Sequence, residues 1–397
     1  MSDELAAPGQ PLWCDTPTAG LQINSVAISD DGQRCIAGTS DERGSGQFGV
    51  VCYNGDGSLR WRAPFGPAQG YQGVFWVAVS GNGAVVAAGG EISQGGSTPG
   101  LLAIYDGASG AVLFSVAQAW RINQLCLSAD GTTLLACYGN TLALYQRGAN
   151  GYALTSSHDF SPFSCNSCAL SADGTMAAVS CRNYDSGQGQ VAGLSISAGQ
   201  MNVASSVPFT TGAMRVAMLP NGQAWAAAFR DGSCALFTQT SASTPLWHYQ
   251  PSEPGLDIAY GIDLTLTTDG RVLLACGANL NLPSPSPHLG LLYVVQSIDG
   301  SDGPAAKPLW QSYLQYAANP GVSLDTEAKF VTATDGSPGS ASSESPGNFY
   351  LFDGASGAAV WTCPTATMNW PMVITPDGAA ILGGSDTGSV YYWSQAS

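Results

Sequence analysis

Basic residues are scarce in this chain. Lys and Arg together number 12 against 28 Asp and Glu, a net charge of −16. That balance argues against recognition of nucleic acid through a basic field. Histidine is scarcer still, with His158, His248 and His288 the only three. No spacing joins them to a Ser or Cys nucleophile, and no His pair suits zinc, so no metal set is expected. Long apolar runs are also absent. No stretch approaches about 18 consecutive apolar residues, so a membrane span is not expected. The opening "MSDELAAPGQ" puts acids where an export signal needs a basic region and an apolar core. A cytoplasmic location is the expectation that follows. The acidic segments "NGDGS" (54–58) and "IDGSDG" (298–303) lack the ligand alternation and terminal Glu of calcium loops. Turn chemistry accounts for them.

Cysteine is not scarce, at 11 residues, but the count is odd and no two are adjacent. A disulfide framework is a poor reading at this length without an export signal. Several stand where sister segments carry Ala: Cys126 aligns with Ala27, Ala78, Ala169 and Ala217. They read as small buried hydrophobes. "CNSC" (165–168) invites a metal or redox reading. It leads into an apolar strand, where residues three apart point to opposite faces, so packing is expected there too.

Glycine and proline are plentiful, at 50 and 23, which points to many turns. One pattern recurs along the whole chain. It reads "SVAISDDG" (25–32), "WVAVSGNG" (76–83), "QLCLSADG" (124–131) and "SCALSADG" (167–174). It continues as "RVAMLPNG" (215–222), "DLTLTTDG" (263–270), "GVSLDTEA" (321–328) and "PMVITPDG" (371–378). The fifth residues stand 51, 48, 43, 48, 48, 58 and 50 apart, and the interval from 375 through the C-terminus back to 29 is 51. A wrap interval equal to the others is the signature of a ring. Each repeat continues with a strand of small residues such as "LLACYG", a third such as "LLAIY" and a fourth marked by an aromatic, as in "PLW". Four short antiparallel strands per repeat describe a propeller blade. The expectation is a single all-β domain over 1–397, an eight-bladed β-propeller. Its first strands lie near 25, 76, 124, 167, 215, 263, 321 and 371. The last repeat, "SVYYWSQAS", ends after a third strand. "PLWC" (11–14) is a fourth strand without the first three. The N-terminal segment is therefore expected to supply the outer strand of blade 8, removing two frayed edges.

Two segments, "YDGASGAVLF" (105–114) and "FDGASGAAVW" (352–361), resemble the tryptophan-docking repeat of pyrroloquinoline quinone dehydrogenases. The hairpins "YGNT" (138–141), "RDGS" (230–233) and "DTGS" (386–389) resemble WD-repeat turns. The chain thus resembles the quinoprotein-like and WD-repeat-like β-propeller superfamily. The resemblance implies the propeller fold, and a Gly–aromatic lock between neighbouring blades. It does not extend to the cofactor signature. Quinone-dependent members carry a vicinal cysteine pair, and no converging oxygen set for calcium can be assigned here. No cofactor is expected.

Strand direction places the loops between second and third strands on one face with the entrances to the first strands. Five such loops are long: 40–48, 91–100, 182–190, 279–290 and 335–348. Long polar loops gathered on one face are where binding tends to sit. The opening positions of the first strands include two opposite charges on adjacent blades, Arg215 and Asp263. They read either as an ion pair bridging two blades or as groups that a ligand carboxylate engages through Arg215. Arg182 and Arg230, ending neighbouring second strands, extend a cationic patch. Trp76, Trp120 and Trp370 lie at first-strand entrances and suit planar ligands or packing between blades. The candidate ligand-binding set is therefore Arg215, Asp263, Arg182, Trp76, Trp120 and Trp370. The favoured reading is a non-catalytic binding propeller for a protein partner or small ligand. The alternative is an enzyme at the channel mouth, with Arg215 and Asp263 as polarising and acid–base groups; a quinone-dependent dehydrogenase ranks last.

Overall fold

A computed structural model describes residues 9–17, 22–40, 48–66, 73–92, 99–241, 243–283, 286, 288–301, 303–336 and 346–395. Every regular element among them is a β-strand, and the strands form eight separate sheets. Six sheets have four antiparallel strands in chain order, one combines the last three strands with the N-terminal strand, and the remaining one has a split first strand. This is the eight-bladed propeller that the repeat predicts. The first strands lie innermost, where those of neighbouring blades pack on one another. No helix of the described residues is long and apolar enough to cross a membrane.

The repeated Ser-x-Asp-Gly segment makes the turn between the first two strands. Ser128 Oγ donates to Asp130 Oδ1 at 2.6 Å and accepts the amide of Thr133 at 3.0 Å. Ser171 does the same with Asp173 and Met176. The glycine that closes the turn has φ between 68° and 85° in seven blades, a conformation that costs an L-residue about 1–2 kcal/mol. In blade 7 that place is held by Ala328 at φ 50°. Blade 7 departs in its first strand as well. Pro320 has no amide hydrogen to donate, and the strand is split into Ala317–Ala318 and Ser323–Leu324.

Blades are joined by apolar cores that each draw on two neighbours. One such core combines Val50 and Trp61 of blade 1 with Val86 and Tyr105 of blade 2. Another pairs Ile23 and Tyr53 of blade 1 with Leu382 and Tyr392 of blade 8. The two docking-like segments form the expected lock. In blade 2, Asp106 Oδ1 accepts the amides of Ala108 and Ser109, shaping a turn that ends at Gly110. Gly110 has φ 72°, and a Cβ there would lie 2.7 Å from the ring of Trp61 of blade 1. The Trp61 indole donates to Gly107 O at 3.0 Å. Trp310 of blade 6 docks identically on Gly354 and Gly357 of blade 7.

The ring closes through the N-terminal segment. Strand Trp13–Asp15 pairs antiparallel with Val390–Ser394, setting Trp13 opposite Tyr392. Trp13 stacks on Tyr392 at 5.3 Å, and its indole donates to Gly55 O of blade 1 at 3.0 Å. The tryptophan lock thus repeats at the seam.

Candidate functional site

In seven blades the first strand carries a β-bulge near its start. Register shifts fall at 23/25, 74/76, 122/124, 165/167 and 213/215 in blades 1 to 5. They fall at 259/261 in blade 6 and 369/372 in blade 8. A bulge leaves one residue unpaired and re-aims it. The residues so placed are Asn24, Phe75, Asn123, Asn166, Met214, Tyr260 and Trp370. Together with Pro320 of blade 7, all of them line one cavity of about 450 Å³. All eight blades contribute, so this cavity is the mouth of the central channel. Arg182 and Tyr184, at the end of a second strand and in the loop after it, also line it. The mouth therefore opens on the face of the long loops. Of those loops only 182–190 is wholly described; most of 40–48, 91–100 and 335–348, and parts of 279–290, lie outside the described residues.

In blades 1 and 4 the next residue along the strand ties the blade to its neighbour. Ser25 Oγ accepts the amide of Val77 at 3.0 Å, and Ser167 Oγ accepts that of Val216 at 3.1 Å. In blade 6 the sequence repeat aligns Asp263 with these residues, although it stands three residues past the bulged Tyr260. Its Oδ2 accepts the amide of Leu324 in blade 7 at 2.7 Å, and its Oδ1 accepts that of Leu264 at 2.8 Å. Burial pushes its carboxyl up to about 6, against the pull of these bonds. Asp263, Arg215, Trp76 and Gln124 line a second cavity of about 230 Å³ further down the channel.

No ion pair joins Arg215 to Asp263; among the described residues neither side chain has an oppositely charged partner within ion-pair distance. The ion-pair expectation is therefore corrected. Asp263 is satisfied by backbone amides, and Arg215 turns to neutral partners. The Arg215 guanidinium lies 5.3 Å from the Trp76 ring centroid, and Nη1 donates to Gln124 Oε1 at a long 3.4 Å. Desolvation lowers the arginine's pKa, yet a guanidinium stays charged at any relevant pH.

Two more arginines reach the same mouth. Arg182 lies over the Tyr184 ring at 4.6 Å, and its buried Nε has no hydrogen-bond partner. Arg121 lies over Phe75 at 5.3 Å and donates from Nε to Asn123 Oδ1 at 3.1 Å. Among the described residues, none of the three has a carboxylate within ion-pair distance and none that line the mouth is acidic. Glu91 lies in an adjoining hollow with Arg121, Trp120 and Tyr184. Burial raises the Glu91 carboxyl, and the Arg121 charge opposes that rise.

Of the sequence candidates, Arg215, Arg182, Trp76 and Trp370 come together at the mouth. Asp263 lies below them, and Trp120, 56% exposed, belongs to the adjoining hollow. Arg230 is exposed in its hairpin. Sequence reasoning missed Arg121, Phe75, Tyr184, Tyr260 and the three bulge asparagines. For Phe75 and the asparagines the signal was the column one residue before each repeat; Arg121, Tyr184 and Tyr260 stand outside that column and left no such signal.

The histidines lie elsewhere: His248 bonds Ser233, His288 stacks on Tyr313 and His158 lies edge-on to Phe160. All 11 cysteines are free thiols. Cys165 and Cys168 do not point to opposite faces, which corrects the alternation argument. The bulge at 165/167 adds a residue, and both thiols enter the core between blades 3 and 4. There Cys168 lies 3.7 Å from Cys126, and Cys165 lies 3.6 Å from Cys181. No group of three His, Cys, Asp or Glu among the described residues is placed to hold a metal ion.

No protein-family model and no curated protein matches this sequence. Solved structures do. Hydrazine synthase of Kuenenia stuttgartiensis aligns with a TM-score of 0.57 at 13% identity, covering 100% of this chain and 98% of that one. The β-propeller domain of Cps50 (Swd1) from Myceliophteria thermophila aligns with a TM-score of 0.56 at 15% identity, covering 81% of this chain and 95% of that one. At such identities the likeness shows the β-propeller fold alone.

Proposed function

We propose that the protein is a binding propeller that takes a small organic ligand into the mouth of its central channel. The observation that carries this reading is the ring of bulged residues. Seven blades carry a bulge in the first strand, and their re-aimed side chains converge with Pro320 of blade 7 on a single cavity of about 450 Å³. That volume suits a metabolite-sized ligand, as do aromatic walls with a few placed polar groups. Trp76, Tyr260 and Trp370 supply the walls. The test is a metabolite screen by thermal shift, repeated on Trp370→Ala. A ligand that raises the melting temperature of the wild type and not of the variant supports the reading. A protein that gains no stability from any compound, yet captures a protein through its loop face, refutes it.

One observation favours a second reading, an enzyme working in the same channel. A carboxyl pushed up to about 6 beside a cavity, as at Asp263, is suited to general acid–base work. The amides that hold both Asp263 oxygens favour the binding reading instead. The described residues do not fit a quinone-dependent dehydrogenase. They offer no adjacent cysteine pair, and no carboxylate lines the mouth to hold a calcium ion beside a quinone.

A further inference from the structure

We infer that the ligand of this mouth is a small organic anion, a carboxylate or phosphate carried on a flat ring. The inference rests on the binding reading above and adds the chemical class. The chain holds only 12 basic residues and a net charge of −16. Three of those cations, Arg121, Arg182 and Arg215, stand on consecutive blades around one cavity with no acid among its described lining residues.

A guanidinium that serves structure is normally paired, because an unpaired buried charge is costly. Arg182 and Arg215 are half-buried and Arg121 is exposed, so the cost falls on the first two; all three are held by neutral groups. Aromatic faces lie against all of them. Among the described residues, the only hydrogen bonds from their guanidinium groups go to Asn123 and Gln124, the latter at 3.4 Å. Arg182 Nε is buried with no acceptor among the described residues. Each guanidinium has five N–H donors in a planar fork. Most of these donors therefore lack a protein acceptor, at a site that a ligand can enter. Carboxylate and phosphate oxygens match such forks two bonds at a time. Ring contacts with Phe75, Trp76 and Tyr184 hold the forks in place without neutralising them.

The rest of the mouth is built differently. Blades 6, 7 and 8 contribute Tyr260, Pro320 and Trp370, with no charge. A cationic arc on blades 3 to 5 thus faces an uncharged aromatic arc. A ligand that satisfies both has an anionic edge and a flat body. Asp263 further down repels a second anion, which keeps the charged end at the top. The strongly acidic molecule disfavours a polyanionic macromolecule while leaving a focused cationic pocket for a small one.

The test is calorimetry with two anions and their neutral counterparts. These are benzene-1,3-dicarboxylate against benzene-1,3-dicarboxamide, and adenosine 5′-monophosphate against adenosine. The expected result is that at least one anion binds about 10-fold or more tighter than its neutral counterpart, weakening in about 0.5 M salt. Which anion it is separates carboxylate from phosphate. Arg182→Gln and Arg215→Gln should each weaken it by about 10- to 100-fold, the loss expected for charge-assisted bonds. Neither change should lower the melting temperature, since no carboxylate loses a partner. Arg215→Lys, which keeps the charge, is the folding control.

Binding of neutral and anionic probes with equal affinity, both abolished by Trp370→Ala, overturns the anion class and leaves the channel reading standing. Anion binding that neither arginine variant weakens places the anion elsewhere and overturns the inference. Failure of both anions to bind below about 10 mM overturns it as well. The channel reading falls separately, only if no compound in the metabolite screen depends on Trp370.

Discussion

Replacing Trp13 by alanine tests how the ring is held shut. Trp13 belongs to the outer strand of blade 8, but its contacts cross the seam. Its ring stacks on Tyr392 at 5.3 Å with 6° between planes, and lies 5.3 Å from Tyr53 of blade 1. Its indole N–H reaches Gly55 O at 3.0 Å, and Gly57, at φ 84°, leaves no room for a Cβ beneath it. Deleting a large core aromatic costs about 3–5 kcal/mol. Trp13 keeps one edge in solvent, so the lower end applies, about 3 kcal/mol. The hydrogen bond accounts for about 1 kcal/mol of that, and the two ring contacts for roughly 0.5–1.5 kcal/mol each. Trp13→Phe keeps the stack and loses the N–H donor, so it should cost about 1 kcal/mol. Urea unfolding followed by far-ultraviolet circular dichroism reads both variants. Limited proteolysis should cut Trp13→Ala early, near residues 9–17. An alanine variant with the wild-type midpoint would refute closure by this strand. Equal losses for the Phe and Ala variants would refute the division between hydrogen bond and stacking.

Two further outcomes follow from the turns and the channel. Ala328 holds a left-handed conformation that its seven counterparts assign to glycine. Ala328→Gly should therefore raise stability by about 0.5–1 kcal/mol, strain relief outweighing the added freedom of the unfolded chain; a lower urea midpoint would refute the strain. Asp263 titrates at about 6 folded against 3.8 unfolded, so the folded state binds its proton more tightly. Its contribution is then fully present below pH 3.8 and is lost as pH rises through about 6. The unfolding free energy of the wild type minus that of Asp263→Asn should fall by up to roughly 2–3 kcal/mol over that window. A difference that stays level across it would show that the carboxyl is not raised.

The number of blades, the turn chemistry and the seam were all legible in the residues. The Ser-x-Asp-Gly turn is local, so each copy announces itself, and eight copies with an equal wrap interval already describe a ring. "PLW" without its three partner strands pointed to closure by Trp13, and "YDGASGAVLF" to the lock around Gly110. Other features required the tertiary structure. Strand alternation assigns faces by counting in twos, and a single bulged residue reverses the count. That reversal sent Asn24, Phe75 and Tyr260 into the channel, and put Cys165 and Cys168 on the same side. Arg121, Arg182 and Arg215 lie far apart in the chain, and only the curvature of the closed ring sets them around one cavity. The partner of Asp263 was equally out of reach. The choice between an arginine on one neighbouring blade and a backbone amide on the other depends on the stagger of packed sheets. That stagger comes from side chains interlocking between blades and leaves no mark in the periodicity of any one of them.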